Sequence, residues 1–479
     1  MNKLKLSITT TTVGILLFLS SCSIPKVEQR EANESVPESF SNSLDTNNSA
    51  KTNWREFFTD TYLINLIDSA LVNNQELNIM MKEIMISSNE VMARRGEYMP
   101  SVNLNAGAGA EKVGRYTSQG ANDANTEISA GKEFPEPLTD FMLSADVSWE
   151  LDVWNKLHNA KDAAVKRYLS SIEGKNYMIT QLIAEIANSY YELEALDNQL
   201  KILQENIEIQ QNVLRTVKLQ KEAGKVTELA VKKFEAEVLK NRSLIFNIKQ
   251  DITITENRIN FLLGRYPQKI ERSSDEFTTI IPRAMSTGVP SELLQNRPDI
   301  KQAELELEAN KLDVESARAN FYPAFRITGR VGYQSYNPSS FFQTPESMLY
   351  GIVGDMVMPL LNRNAIEAQY LNANYSQMQS VYNLERTILN AYVEVSNQLS
   401  NMENLQSSYQ MKSEQVDALM QSTSIATNLF NSARADYMEV MLTQRDVLDA
   451  RFELIENKMK QLNTLVKLYK SLGGGWDSN

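Results

Sequence analysis

Between Leu143 and Val153 every second residue is apolar (Leu143, Ala145, Val147, Trp149, Leu151, Val153), and Ser144, Asp146, Ser148, Glu150 and Asp152 fill the gaps. A period of two belongs to an extended strand with one apolar and one polar face. Phe325, Ile327, Gly329, Val331 and Tyr333 alternate in the same way with Arg326, Thr328, Arg330, Gly332 and Gln334. The stretch before Pro359 is less regular, and its register stays open at this level. Long, charged, Leu-rich sequence of helical pattern follows each region, so the constraint is sharp: a mostly helical chain carries strands whose apolar row must touch something.

The strands belong to a duplication. EVMARRGEYMPSVNLNAGAG (90–109) aligns with DVESARANFYPAFRITGRVG (313–332), bringing Arg95 onto Arg318, Tyr98 onto Phe321, Pro100 onto Pro323 and Gly109 onto Gly332. Asn155-Lys156 and Asn362-Arg363 follow the second strand of each half, and Leu263-Gly264 and Leu472-Gly473 close the halves. Gly224 and Ala433 each precede a Leu/Met-x-Val pattern (Leu229 to Val231, Met438 to Val440). Each copy therefore reads as helix, strand, loop, strand, long helix, break, helix.

Leu193, Leu196, Leu200, Leu203 and Ile207 step by three and four, and Leu214 and Val217 continue this coiled-coil seam. From Asn155 to Glu222 there is no Pro and only Gly174, enough for a helix on the order of 100 Å. Taken alone, such helices suit a structural coiled coil or an adaptor. The strands reverse that preference, because four amphipathic strands of about ten residues match the length of transmembrane barrel strands. Four strands cannot close a barrel, and an open edge in lipid would leave backbone groups unsatisfied. A dimer would supply eight strands and a trimer twelve. An eight-stranded barrel is filled by its own side chains, so an open pore favours the trimer.

Composition removes other classes. Net charge is −12 with scattered Lys and Arg, which gives no nucleic-acid footprint. One His and one Cys exclude Cys/His metal sites, His-based triads and an intramolecular disulfide. His158 reads as a solvated polar residue, and the Asp275-Glu276 pair as solvated charge in a Ser/Thr-rich loop. No cofactor, metal site or enzymatic activity is expected. At the N-terminus Lys3 and Lys5 precede the apolar run Val13 to Leu19, which is too short to span a bilayer and has the order of a signal peptide. Leu19-Ser20-Ser21-Cys22 resembles a bacterial lipobox, with Cys22 as the acylated first residue of the mature chain. Ser23 in place of Asp favours the outer over the inner membrane. Residues 24–53 read as a tether rich in Ser, Asn, Glu and Pro.

Five motifs carry a family resemblance: VPSELLQNRPDIKQAE (289–304), ESARANFYPAF (315–325), WELDVWNK (149–156), NFLLGRYP (260–267) and LVKLYKSLGGGW (465–476). Through them the chain resembles the TolC-like outer-membrane efflux channels, in particular the NodT-type lipoprotein outer membrane factors, from about Trp54 to Trp476. The resemblance implies a fold that is mostly α with a transmembrane β part. Its duplicated helix-strand-strand-helix repeat would form a homotrimeric twelve-stranded β-barrel continued by a long α-helical barrel. The implied function is the exit duct of a tripartite efflux pump. The implied partners are a periplasmic membrane-fusion adaptor, an inner-membrane transporter of the resistance-nodulation-division type, and outer-membrane lipid.

On this plan residues 1–21 are the signal peptide, 22–53 the lipidated tether and 54–100 the first periplasmic helices. The barrel hairpins are 101–154 and 324–361, the long periplasmic helices 155–265 and 362–472. Residues 266–297 are an equatorial connection, 298–323 the helix opening the second copy and 473–479 the tail. The apolar row Leu143, Ala145, Val147, Trp149, Leu151 and Val153 is expected to face lipid and the polar row, through Asp152, the pore, with Trp149 and Trp154 near an interfacial girdle. The segment FNSARADYMEVMLTQRD (430–446) matches the family's periplasmic iris. Carried over by position, Glu439 takes one acidic place and Arg445 the Arg, whereas Leu442 occupies the other acidic place and Ala433 that of the usual turn Gly. Met438, Glu439, Leu442 and Arg445 are the gate candidates, with Asp436 and Tyr437 beside them. The alternatives are a lipid-anchored coiled-coil adaptor or structural protein, and the channel of a type I protein secretion system. Cargo is not written in this sequence.

Overall fold

The computed structural model describes residues 24–28, 30–40, 51–274, 277–280, 285–432 and 434–476. The signal segment, Cys22, Asp275-Glu276 and Ala433 lie outside them. The chain begins with helices α1 (Trp54–Phe57), α2 (Thr61–Asn73) and α3 (Gln75–Glu97). Strand β1 (Ser101–Glu111) leads through a loop holding α4 (Ser118–Asp123) and the small hairpin β2 (Glu127–Ser129) and β3 (Lys132–Glu133) into β4 (Leu138–Leu151). Then come α5 (Lys156–Glu222) and α6 (Glu228–Leu262). The second copy comprises α7 (Glu292–Asn296), α8 (Pro298–Ala319), β5 (Ala324–Ser335), β6 (Met348–Val357), α9 (Asn364–Asn431) and α10 (Tyr437–Ser471). Helices α6 and α10 are both 35 residues long, and both ends of α10 lie 209 positions beyond those of α6.

The elements fall into two units, one built from residues 1–31, 86–168 and 305–381 and the other from 32–85, 169–304 and 382–479. The first holds a four-stranded antiparallel sheet in the order β1, β4, β5, β6. Where β4 and β6 give way to the long helices, Asn155 and Asn362 take the left-handed conformation, with φ of 57° and 54°. Asn tolerates that conformation better than most residues, which gives a physical reason for Asn at both turns.

Strand β4 stops at Leu151, two residues before the alternation in the sequence does. Asp152 therefore does not continue the polar row. Its carboxylate caps α5, accepting from the backbone N–H groups of Leu157 at 3.0 Å and His158 at 2.8 Å. Burial works against its ionisation, but these amide donors and the His158 imidazole hold it below the usual carboxylate range. Val153 sits in the turn beyond the strand. His158 is not simply solvated. It stacks on Tyr98 with ring centroids 4.4 Å apart, and its Nδ1 lies 2.6 Å from the Asp152 carboxylate.

The second unit is built on paired helices. Leu193, Leu203, Ile207 and Val217 are buried along the α5 seam. One core gathers Trp54, Phe58, Leu63, Ile67, Ile183, Ile186, Tyr190 and Leu193 with Ile259, Leu263 and Tyr469. Helix α2 enters it through Leu63, Leu66, Ile67 and Ala70, spaced to share one face, and is capped by Asp60, which also accepts from the Tyr190 hydroxyl at 2.7 Å. Two Arg-centred networks brace this unit. Arg272 reaches Asp197 through two nitrogens and Glu256 through one, while Arg297 bridges Asp299, Glu394 and the Ser471 carbonyl oxygen. Such forked, charge-assisted bonds satisfy guanidinium groups that are nearly buried.

Candidate functional site

Register turns the alternation of single strands into surfaces. Leu104 lies opposite Ala145, which lies opposite Val331, which lies opposite Tyr350. Val102, Val147, Gly329 and Ile352 form the next rung, then Trp149, Ile327 and Gly354. One face of the sheet is thus apolar across all four strands, and Leu104, Tyr350 and Ile352 are 77, 81 and 80% exposed. Such a contiguous bare patch is foreign to a water-soluble monomer. On the same face Leu143 and Leu151 lie opposite Tyr333 and Phe325.

The opposite face carries the even-numbered residues of β4. The Arg330 guanidinium donates twice to Asp146, through Nε and Nη2, both at 2.7 Å. Asn105 donates to the same carboxylate at 2.8 Å, and Ser144 donates to it at 3.1 Å. Lys156 pairs with Glu150 at 2.6 Å, and Gln334 donates to Asp140 at about 3 Å. These polar contacts join three strands on one face. The sequence signalled this only partly: the alternation of β1 (Val102, Leu104, Ala106 against Asn103, Asn105) is visible in hindsight, and the register of β6 comes from its pairing with β5. Trp149 and Trp154 donate their indole N–H to the carbonyl oxygens of Tyr98 and Pro323, at 3.0 and 2.8 Å, and Trp154 stacks on Tyr322.

At the far ends of the long helices the two copies each make a helix–turn–helix. After α5, Gly224 adopts φ 69° and the Lys225 N–H bonds back to the Gln220 carbonyl oxygen; after α9, Arg434 bonds back to Leu429. Val217, Ala230, Val231, Phe234, Ala426, Phe430 and Val440 form one apolar cluster between the turns. The gate candidates divide around it. Tyr437 packs into the cluster, its ring 6.4 Å from that of Phe234. Asp436 occupies the N-cap position of α10 without a side-chain cap bond. Glu439, Leu442 and Arg445 are exposed, Arg445 pairing with Asp446 at 3.2 Å, and Met438 is half-buried. The structure thus separates Tyr437 from the outward set.

A sheet bare on its apolar face and too small to close, in a chain of long paired helices, defines a class of protein: a membrane-embedded channel protomer. The comparisons place it within that class. The chain belongs to the family of outer membrane efflux proteins, whose model matches residues 66–265 and 289–474. It is 27% identical to the cation efflux system protein CusC of Escherichia coli over 471 residues, covering 96% of this chain and 97% of that one. It is 26% identical to the probable outer membrane lipoprotein SilC of Salmonella typhimurium, covering 99% of this chain and 100% of that one. A crystal structure of CusC superposes with a TM-score of 0.81 at 25% identity, covering 94% and 99% of the two chains.

Proposed function

We infer that this chain is the outer-membrane exit duct of a tripartite efflux pump and that it acts as a homotrimer. Three four-stranded sheets joined edge to edge make a twelve-stranded barrel. That closure satisfies the free edges of β1 and β6, which no membrane-embedded sheet can leave open. Leu143, Ala145, Val147, Trp149 and Leu151 then meet lipid, and Ser144, Asp146, Ser148 and Glu150 meet the water of the pore. The α9–α10 turns, with Glu439, Leu442 and Arg445 repeated three times about the axis, form the periplasmic constriction. A membrane-fusion adaptor and an inner-membrane transporter deliver the substrate, and the duct itself catalyses no reaction. Acylation of Cys22 fits this reading, and the Salmonella relative is named an outer membrane lipoprotein.

The observation that carries the reading is the four-stranded sheet with one continuous apolar face and two unpaired edges. Native mass spectrometry of the detergent-purified protein tests it. Three-subunit particles that open pores in planar bilayers are expected, and monomers without conductance overturn it.

A further inference from the structure

Helices α5 and α10 run antiparallel, and two contacts fix the levels between them. Lys470 of α10 donates to the Gln181 side-chain oxygen of α5 at 2.8 Å, and farther along the seam Arg451 Nη2 lies 3.2 Å from Glu205 Oε2. Seven residues from the Lys470–Gln181 contact, about 10 Å along each helix, stand Asn463 and Asn188, and between these levels come Lys467 and Glu185. All of them line a cavity of about 510 Å³, whose other walls include Glu192 of α5, Arg258 of α6 and Glu394 of α9. That volume falls in the range of small-molecule pockets, about 300–1,000 Å³. Glu185, Asn188 and Glu192 are spaced to share one face of α5, while Ile183, Ile186, Tyr190 and Leu193 pack into the core from another.

Some polar groups on these walls are already engaged. Glu192 accepts from Arg258 Nη1 at 2.7 Å, Gln181 accepts from Lys470, and one oxygen of Glu394 accepts from Arg297 at 2.9 Å. Others are not. Glu185 and Lys467 are exposed and form no ion pair among the described residues, although they stand near one level with opposite charge. The Oδ1 atoms of Asn188 and Asn463 are buried and accept no hydrogen bond among the described residues, a costly state for an amide oxygen. Burial holds the Lys470 ammonium below the usual lysine range; Glu394 opposes that shift, and the like charge of Lys467 adds to it. The same cavity therefore presents two mutually repelling ammonium groups that favour an anion, and a carboxylate with two amide oxygens that favour a donor.

We propose that this cavity binds a small zwitterion of the amino-acid or short-peptide kind, its carboxylate held by Lys467 and Lys470 and its ammonium by Glu185 with the Asn188 and Asn463 oxygens. A simple anion would satisfy the lysines and leave the acceptors bare, and a simple cation would do the reverse. The walls come from α5 and α6 of the first copy and α9 and α10 of the second, so a bound zwitterion ties the copies together and stabilises the unit they build. The site lies within one chain. It goes beyond the duct reading and does not depend on the number of subunits.

Isothermal titration of the detergent-purified full-length protein with glycylglycine tests the site. N-acetylglycylglycine and glycylglycinamide serve as probes that keep only the carboxylate or only the ammonium. Saturable binding of glycylglycine is expected, and each single-charge probe should bind wild type about tenfold more weakly or worse. Glu185→Gln and Lys467→Gln should each weaken glycylglycine binding by a similar factor. Glycylglycine should also raise the unfolding temperature of wild type, but not that of the protein carrying both substitutions. If a variant fails to fold, the three probes on wild type decide alone. No saturable binding of glycylglycine, equal binding of all three probes, or folded variants that bind it as wild type does overturns the site while leaving the duct standing. Monomers without conductance overturn the duct, and the titration still decides the site.

Discussion

Glu194 lies in the second unit with 1% of its surface exposed, between buried Leu193 and Ala195 on α5. Burial pushes its carboxyl up to about 8; the charges of Asp60 and Asp197 add to the rise and Arg272 opposes it. Its Oε2 has no hydrogen-bond partner among the described residues, and the Tyr190 hydroxyl donates its hydrogen bond to Asp60 instead. Unfolding exposes the group to water, where the carboxyl ionises at its ordinary value of 4.5. The folded state therefore keeps a proton that the unfolded state releases, and stability falls as pH rises from about 4.5 to about 8. Glu194→Gln mimics the neutral acid and removes that dependence. At 1.36 kcal/mol per pH unit the variant gains on the order of 3 kcal/mol over wild type at pH 7 and almost nothing at pH 4.5. Thermal unfolding of the detergent-solubilised protein, followed by helical circular dichroism from pH 4.5 to 9, measures the difference. It should grow with pH and level off once the folded acid ionises. A difference that is flat in pH, or a Gln variant less stable throughout, refutes the assignment of Glu194 as a buried neutral acid.

Two further outcomes follow from other parts of the structure. Replacing Glu439 and Arg445 together by Gln should raise single-channel conductance in planar bilayers, whereas unchanged conductance removes these residues from the constriction. Gly264→Ala should destabilise the second unit by roughly 2–3 kcal/mol, read as a lower unfolding midpoint: Gly264 holds φ 66°, and an added Cβ would press on the Asn73 carbonyl oxygen.

What the sequence displayed, it displayed through period. The two-residue alternation of β4 and β5, the three-and-four spacing from Leu193 to Val217 and the landmarks of the repeat each depend on near neighbours along the chain. Asp152 shows where such reasoning ends. Its place in an unbroken alternation argued for a fifth polar strand position, yet five residues later the first free amides of α5 offer a carboxylate better partners than a strand can. His158 escaped for the same reason, because Tyr98 comes from a different element sixty residues away. In β6, Leu349, Val353 and Val357 occupy the side that is polar in β4, so the period blurs, and only the pairing with β5 identifies the faces.

The same logic explains why Glu194 and Arg242 could not be told apart by inspection. Both are charged residues within long helices. One is buried, close enough to feel the charge of Asp60 more than a hundred positions earlier, and the other is exposed. Periodicity identifies the face a residue occupies but not whether anything covers that face. In a duplicated chain the second copy supplies the missing comparison. Arg451 of α10 pairs with Glu205 of α5 at 3.2 Å, whereas Arg242, 209 positions earlier at the matching place in α6, is exposed.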